Sequence, residues 1–166
     1  MRTGIVFKSP LEIFSKKNVF TFCFLIAGLS PLLGHAQTPL DLSQYKGKVV
    51  YVDFWASWCG PCRQSFPWMN HLQEKFADQG LVVVAINVDE NRNDANAFLK
   101  EIPAHFPVVF DPHGQVAETY HVPGMPTTFL IDKQGKVRES RVGFHPTQED
   151  EYEKTVLKLL AEKAQL

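Results

Sequence analysis

Val49-Val50-Tyr51-Val52-Asp53-Phe54-Trp55-Ala56-Ser57-Trp58-Cys59-Gly60-Pro61-Cys62 joins two kinds of local structure. Its first seven residues are nearly all apolar and either β-branched or aromatic, which suits a central strand buried on both faces. Pro61 suits the first turn of a helix. Cys62, Phe66, Met69, Leu72 and Phe76 then follow at steps of four, three, three and four, so one helical face is apolar. Two cysteines three apart at such a junction can close a disulfide on each other. The first sits at a helix N-terminus, where free backbone N–H groups and the dipole favour a thiolate. A thiolate attacks disulfides and a thiol does not, so the pattern points to thiol–disulfide exchange.

Downstream, Pro67 is expected to kink this helix and Gly80 to end its segment. Leu81–Val88 reads as a second buried strand, and the Asp/Asn-rich turn Asp89–Asp94 leads into a helix ending near Ile102, before Pro103. Phe106–Phe110 reads as a short strand, Asp111-Pro112-His113-Gly114 as a turn, and Gln115–His121 as one or two helical turns. Thr127–Asp132 and Val137–Val142 form a hairpin around Lys133-Gln134-Gly135-Lys136. A last helix starts near Thr147 with Tyr152, Val156, Leu159 and Leu160 on one face. Strands alternating with helices imply an α/β fold around a parallel sheet, to which the hairpin adds antiparallel strands.

Upstream, Arg2, Lys8, Lys16 and Lys17 precede an apolar core from Val19 to Leu33 and then Gly34-His35-Ala36. This is the pattern of a signal peptide, with cleavage expected after Ala36. The apolar core, 15 residues with Gly28 and Pro31 inside it, is short against the roughly 20 needed to cross a bilayer. An uncleaved anchor through residues 19–33 is the alternative. Cys23 lies inside this core and is expected to leave with the leader. The remaining domain, residues 37–166, keeps 13 of the 17 Lys and Arg and 17 of the 18 Asp and Glu, a net charge of −4. It has no basic run, so no nucleic-acid partner is expected. Two cysteines remain in it, too few for a disulfide-stapled scaffold, so the pair serves chemistry.

Asp53 to Cys62, with Pro67 five residues on, is similar to the active-site motif of thioredoxins. Gly124-Met125-Pro126-Thr127 resembles that fold's cis-proline loop, and Val142-Gly143 its substrate-groove glycine. An inserted helix and strand, about residues 93–110, is absent from plain thioredoxin. With the leader and Pro126-Thr127-Thr128-Phe129-Leu130-Ile131-Asp132, it resembles the TlpA/ResA-like branch of exported thiol–disulfide oxidoreductases. The resemblance runs from about Asp41 to the end of the chain. It implies a thioredoxin-like fold: a central mixed sheet flanked by helices, with an inserted helix–strand unit.

Cys59 is then the attacking cysteine and Cys62 the one that resolves the mixed disulfide. Asp53 is a charged residue in an apolar strand, which is costly without a partner or a task. The resemblance implies a general acid/base near Cys62 that relays the resolving cysteine's proton through water, with a pKa raised by desolvation. Thioredoxin has a lysine near this acid where the matching position here is Ala85. Trp58, Gly60, Pro61, Met125, Pro126 and Gly143 are the substrate-binding candidates. A cis bond before Pro126 would free the Met125 backbone to pair with a substrate strand. The Gly60-Pro61 dipeptide is that of reducing thioredoxins, which implies a periplasmic reductant of protein disulfides. No cofactor and no metal are expected. The implied partners are proteins carrying disulfides, apocytochrome c haem-site cysteines among them, and a membrane electron donor of the thiol-transfer type; a monomer is the simplest state.

Other readings of the same residues stand beside this one. The pair could be a structural disulfide, or serve a disulfide oxidase or isomerase. Zinc wants four ligands and no second cysteine pair exists to complete them, whereas a copper chaperone could use both thiolates and a histidine such as His121. A peroxiredoxin does not fit, because its cysteine is placed differently. Asp53 could instead sit solvated at a strand end. Trp55 is expected in the core and Trp58 beside the site. His71, His105, His113 and His145 are read as surface groups. Glu149-Asp150-Glu151 is read as helix stabilisation through the dipole.

Overall fold

The computed structural model describes residues 40–163. The leader 1–36, its segment 19–33, Cys23, and the terminal residues 37–39 and 164–166 of the expected domain lie outside the described residues. Among the described residues five strands and four α-helices follow one another: β1 (Val49–Trp55), α1 (Gly60–Phe76), β2 (Leu81–Asn87), α2 (Arg92–Glu101), β3 (Val108–Phe110), α3 (Gln115–Thr119), β4 (Thr127–Ile131), β5 (Val137–Val142) and α4 (Glu149–Ala161). The sheet order is β3-β2-β1-β4-β5. β1 pairs in parallel with β2 and β2 with β3, while β4 lies antiparallel to both β1 and β5. The inserted unit, α2 and β3, thus extends the sheet at one edge.

β1 and β2 are buried along their whole length. The reason is that both faces of the sheet are covered. Tyr51 and Trp55 point to one side and pack with Phe66, Met69, Phe98, Tyr152 and Val156 of the helices. Val50, Val52 and Phe54 point to the other and meet Leu42, Tyr45, Val116 and Tyr120. A strand covered twice has no polar face to show, which is why its sequence reads as a continuous apolar run. Trp55 anchors the first layer, its ring centroid 4.7 Å from those of both Phe66 and Phe98. Such aromatic pairs contribute about 0.5–1.5 kcal/mol each beyond the area they bury.

Element ends differ from the sequence expectations for local reasons. α1 stops at Phe76, and Ala77–Gln79 tighten into a 3₁₀ turn. Gly80 then adopts φ +97°, open to glycine at little cost, and its carbonyl accepts from Val49 N at 3.0 Å, starting the parallel pair. The strand expected from Phe106 shortens to Val108–Phe110. Pro107 has no N–H to give a ladder, though its carbonyl accepts from Ala85 N at 2.9 Å. The last helix begins at Glu149 after a 3₁₀ turn over Pro146–Gln148, with Glu149, Asp150 and Glu151 in its first turn. Asn70 of α1 ties down the connector before β3, donating to Pro103 O at 2.8 Å and accepting from His105 N at 2.7 Å. Among the described residues no helix is long and apolar enough to cross a membrane.

Candidate functional site

Cys59 is the residue that caps α1. Its extended backbone (φ −83°, ψ 107°) leaves the helix to open at Gly60, and its Sγ accepts from Cys62 N at 3.2 Å. Pro61 follows in the first turn, where its missing N–H would have had no helical partner anyway. Cys59 and Cys62 are joined in a disulfide with an S–S distance of 1.98 Å and a Cα separation of 5.3 Å. Cys59 is 3% exposed, and Cys62, in the first turn of the helix, is fully buried. Trp58 beside them is 72% exposed, and Gly60 and Pro61 are exposed as well. An incoming sulfur therefore reaches Cys59 first. Once the pair is reduced, the N–H that now faces Cys59 Sγ would stabilise a thiolate there.

The loop that presents Cys59 is held by a carboxylate that no sequence pattern singles out. Asp89, buried just past β2, accepts from Ser57 N at 2.9 Å and from Ser57 Oγ at 3.0 Å. Asn87 Nδ2 donates to the same carboxylate at 2.7 Å, and Asn87 Oδ1 accepts from Asp89 N at 3.1 Å. In sequence Asn87 ends a buried strand and Asp89 opens a polar turn. The tertiary fold makes that turn a clamp on Ser57, two residues before the cysteine.

Thr127 lies opposite Phe54 in the β1–β4 ladder, so Met125 and Pro126 emerge at the same end of the sheet as the Trp55–Cys59 loop. The Met125–Pro126 peptide bond is cis. Pro126 is buried, and its carbonyl accepts from Gly143 N at 2.8 Å. Gly143 has φ +85°, a backbone that an L side chain would strain. Thr127 Oγ1 braces the loop by donating to Gly124 O at 2.7 Å. Met125 is half-buried and packs against both core layers. The structure thus brings Met125, Pro126 and Gly143 together.

Asp53 is 1% exposed, in the middle of β1, on the side of the sheet that carries Tyr51, Trp55 and α1. Burial pushes its carboxyl up to about 7, only partly offset by the hydrogen bond that Thr128 Oγ1 donates to Oδ1 at 2.9 Å. Its Oδ2 has no partner among the described residues. Opposite it on β2 stands Ala85, so that strand supplies no counter-charge at this position. The reading of Asp53 as a solvated strand end does not hold: the residue sits in the middle of β1 and its side chain is out of contact with bulk solvent. Trp55 is fully buried, and its Nε1 is the other buried side-chain polar atom without a partner among the described residues.

The remaining residues of interest stand apart. His71, His105, His113, His121 and His145 are all exposed, with His105 Nδ1 2.8 Å from Glu74 Oε1. Among the described residues no group of three His, Cys, Asp or Glu is placed to hold a metal.

Comparison with known proteins adds a family. The Redoxin family matches residues 19–156. Thiol-disulfide oxidoreductase ResA of Bacillus subtilis is 44% identical over 98 residues, 59% of this chain and 55% of its own length. ResA of Geobacillus kaustophilus is 40% identical over 115 residues, 69% of this chain and 64% of its own. The chain thus spans less than two thirds of these relatives' length. The crystal structure of a putative thiol:disulfide interchange protein DsbE from Chlorobium tepidum superposes with a TM-score of 0.71 at 54% identity, covering 72% of this chain and 85% of that one. The fold is thioredoxin-like.

Proposed function

The chain belongs to the Redoxin family, and on that footing we propose that it is an exported thiol–disulfide oxidoreductase that reduces disulfides in other proteins through Cys59 and Cys62. The observation that carries this reading is the disulfide at the mouth of α1, with one sulfur at the helix cap and the other sealed behind it. The names of its relatives, thiol-disulfide oxidoreductase and thiol:disulfide interchange protein, support the same class.

In the dithiol form the Cys59 thiolate attacks one sulfur of a substrate disulfide, and the other sulfur leaves as a thiolate. Cys62 then gives its proton, relayed through a water, to ionised Asp53. Its thiolate attacks Cys59 Sγ, which closes the disulfide and releases the second substrate sulfur. Two electrons pass to the substrate. A carboxyl titrating at about 7 is suited to the task, because both of its forms are populated at neutral pH. Trp58, Gly60, Pro61, Met125, Pro126 and Gly143 form the surface on which the substrate chain lies.

The leader 1–36 directs the protein to the periplasm. Residues 19–33 serve as an anchor if cleavage does not occur. The periplasm is kept oxidising, so a reductant there draws electrons from a membrane donor of the thiol-transfer type. Substrates are disulfide-bearing proteins, with the haem-site cysteines of apocytochrome c as the specific class, and the protein works as a monomer without cofactor or nucleic acid.

The test is the equilibrium reduction potential of the pair in glutathione buffers, together with the behaviour of Cys62→Ser. A value near about −270 mV, the range of thioredoxin, is expected, with Cys62→Ser trapping mixed disulfides through Cys59. A value near about −120 mV, that of a strong oxidant, would overturn the reductant reading in favour of a disulfide donor. A variant that traps nothing while the wild type binds Cu(I) would point to a copper carrier instead.

A further inference from the structure

Asp53 is the end of a chain of hydroxyls that runs away from the disulfide. Thr128 lies opposite Asp53 in the β1–β4 ladder, and Leu130 opposite Tyr51, so the chain passes down the sheet on the side of α1 and α4. Thr128 Oγ1 spends its one proton on Asp53 Oδ1 at 2.9 Å. While Asp53 is ionised, the 3.2 Å contact between Tyr51 Oη and Thr128 Oγ1 is then donated by Tyr51. Both hydroxyls are buried. Tyr51 and Thr128 in turn line a cavity of about 20 Å³ shared with Glu139, Arg141, Tyr152 and Thr155. That is about the room one water needs, and Leu130 also lines it.

The same geometry separates the two carboxylate oxygens. Oδ1 is occupied by Thr128, whereas Oδ2 is buried and meets no donor among the described residues. Few other groups can govern this carboxyl. β2 presents Ala85, and β4 presents Thr128. β1 adds Tyr51, and α1 contributes the cysteine pair to the same core layer. On the far wall of the cavity are Glu139 and Arg141 of β5, which pair with each other, with Arg141 stacked 4.5 Å over the Tyr152 ring of α4 and 3.8 Å from Glu151.

We propose that Thr128 and Tyr51 are positioning residues for Asp53: their donor chain occupies Oδ1, favours the ionised carboxylate, and leaves Oδ2 as the oxygen that exchanges a proton with Cys62. This rests on the acid/base reading of Asp53 given above and adds how that base is held. Hydrogen bonds in series polarise one another, so each proton in this chain strengthens the next toward the carboxylate. Tyr51 acts only through Thr128, and Thr128 only through Asp53.

The test is a ¹³C-carboxyl NMR titration of Asp53 in the oxidised protein, where the cysteines do not titrate, for wild type, Thr128→Val, Thr128→Ser and Tyr51→Phe. Thr128→Val removes the donor at nearly constant volume and should raise the Asp53 midpoint by about one pH unit. Thr128→Ser restores the hydroxyl and should return the midpoint. Tyr51→Phe leaves the Thr128 bond in place and should raise it by less. A midpoint unmoved in a folded Thr128→Val, or raised equally in Thr128→Ser, would overturn the positioning role.

The pH profile of mixed-disulfide release separates this proposal from the reading beneath it. If Asp53→Asn keeps the wild-type profile, the acid/base reading falls and the Oδ2 assignment with it. If Asp53→Asn flattens the profile while Thr128→Val leaves its inflection unmoved, only the positioning role falls. An inflection shifted to higher pH in Thr128→Val and restored in Thr128→Ser supports both.

Discussion

Replacing Asp53 by Asn keeps the side chain's shape and the oxygen that accepts from Thr128, but removes a charge that the fold must bury. The carboxyl titrates at 3.8 when unperturbed and at about 7 in the folded protein, because desolvation penalises its ionised form. Between those values the native state holds a proton that the unfolded chain has released, so stability falls as pH rises. This group's contribution is complete below the unfolded pKa and is lost progressively until the folded pKa is passed. At about 1.36 kcal/mol per pH unit, the wild type should lose about 3 kcal/mol between pH 4.5 and pH 8 from this residue alone. The amide of Asp53→Asn has nothing to ionise. Urea unfolding of both oxidised proteins across that range isolates the effect, since the other groups cancel in the difference. Asp53→Asn should gain on the wild type steadily with pH and exceed it by about 3–4 kcal/mol at pH 8. A stability difference that does not change with pH would refute the argument, and with it the claim that Asp53 is dehydrated.

Asp89→Ala should cost about 3 kcal/mol, because it strips a buried acceptor from Ser57 N, Ser57 Oγ and Asn87 Nδ2 together. The isosteric Asp89→Asn should cost clearly less, and chemical denaturation of the two variants decides between a clamp and a mere turn residue. Trp58→Ala should change stability by no more than about 0.5 kcal/mol, given its 72% exposure. It should nevertheless raise KM for a disulfide-bearing protein several-fold, and an unchanged kcat/KM would remove Trp58 from the substrate surface.

The strands and helices were legible because their signals are local. β1 and β2 announce themselves as apolar runs, and α1 as an apolar stripe that begins at a proline. The spacing of Cys59 and Cys62 places them on the first turn of a helix, and that is where they pair. Asp53 stood out as a lone charge in a buried strand. The ends of elements were harder to read. Pro107 and Gly80 decide where β3 and β2 begin through bonds to Ala85 and Val49, residues distant in sequence from each proline or glycine.

Sequence alone determined that this chain carries a close cysteine pair at a strand-to-helix junction and a lone acid in the apolar strand before it. What surrounds the acid was decided only by the tertiary structure. Thr128 is separated from Asp53 by 75 residues, and Asp89 from Ser57 by 32. Neither pairing leaves a mark on its own neighbourhood: one is a threonine in an apolar strand, the other an acid in a polar turn. The register of β4 against β1 joins the first pair, and the course of the chain past β2 joins the second. Both are set by the packing of two complete core layers and not by any local stretch. A side chain's periodicity tells which face it takes, but only the assembled sheet tells what waits there.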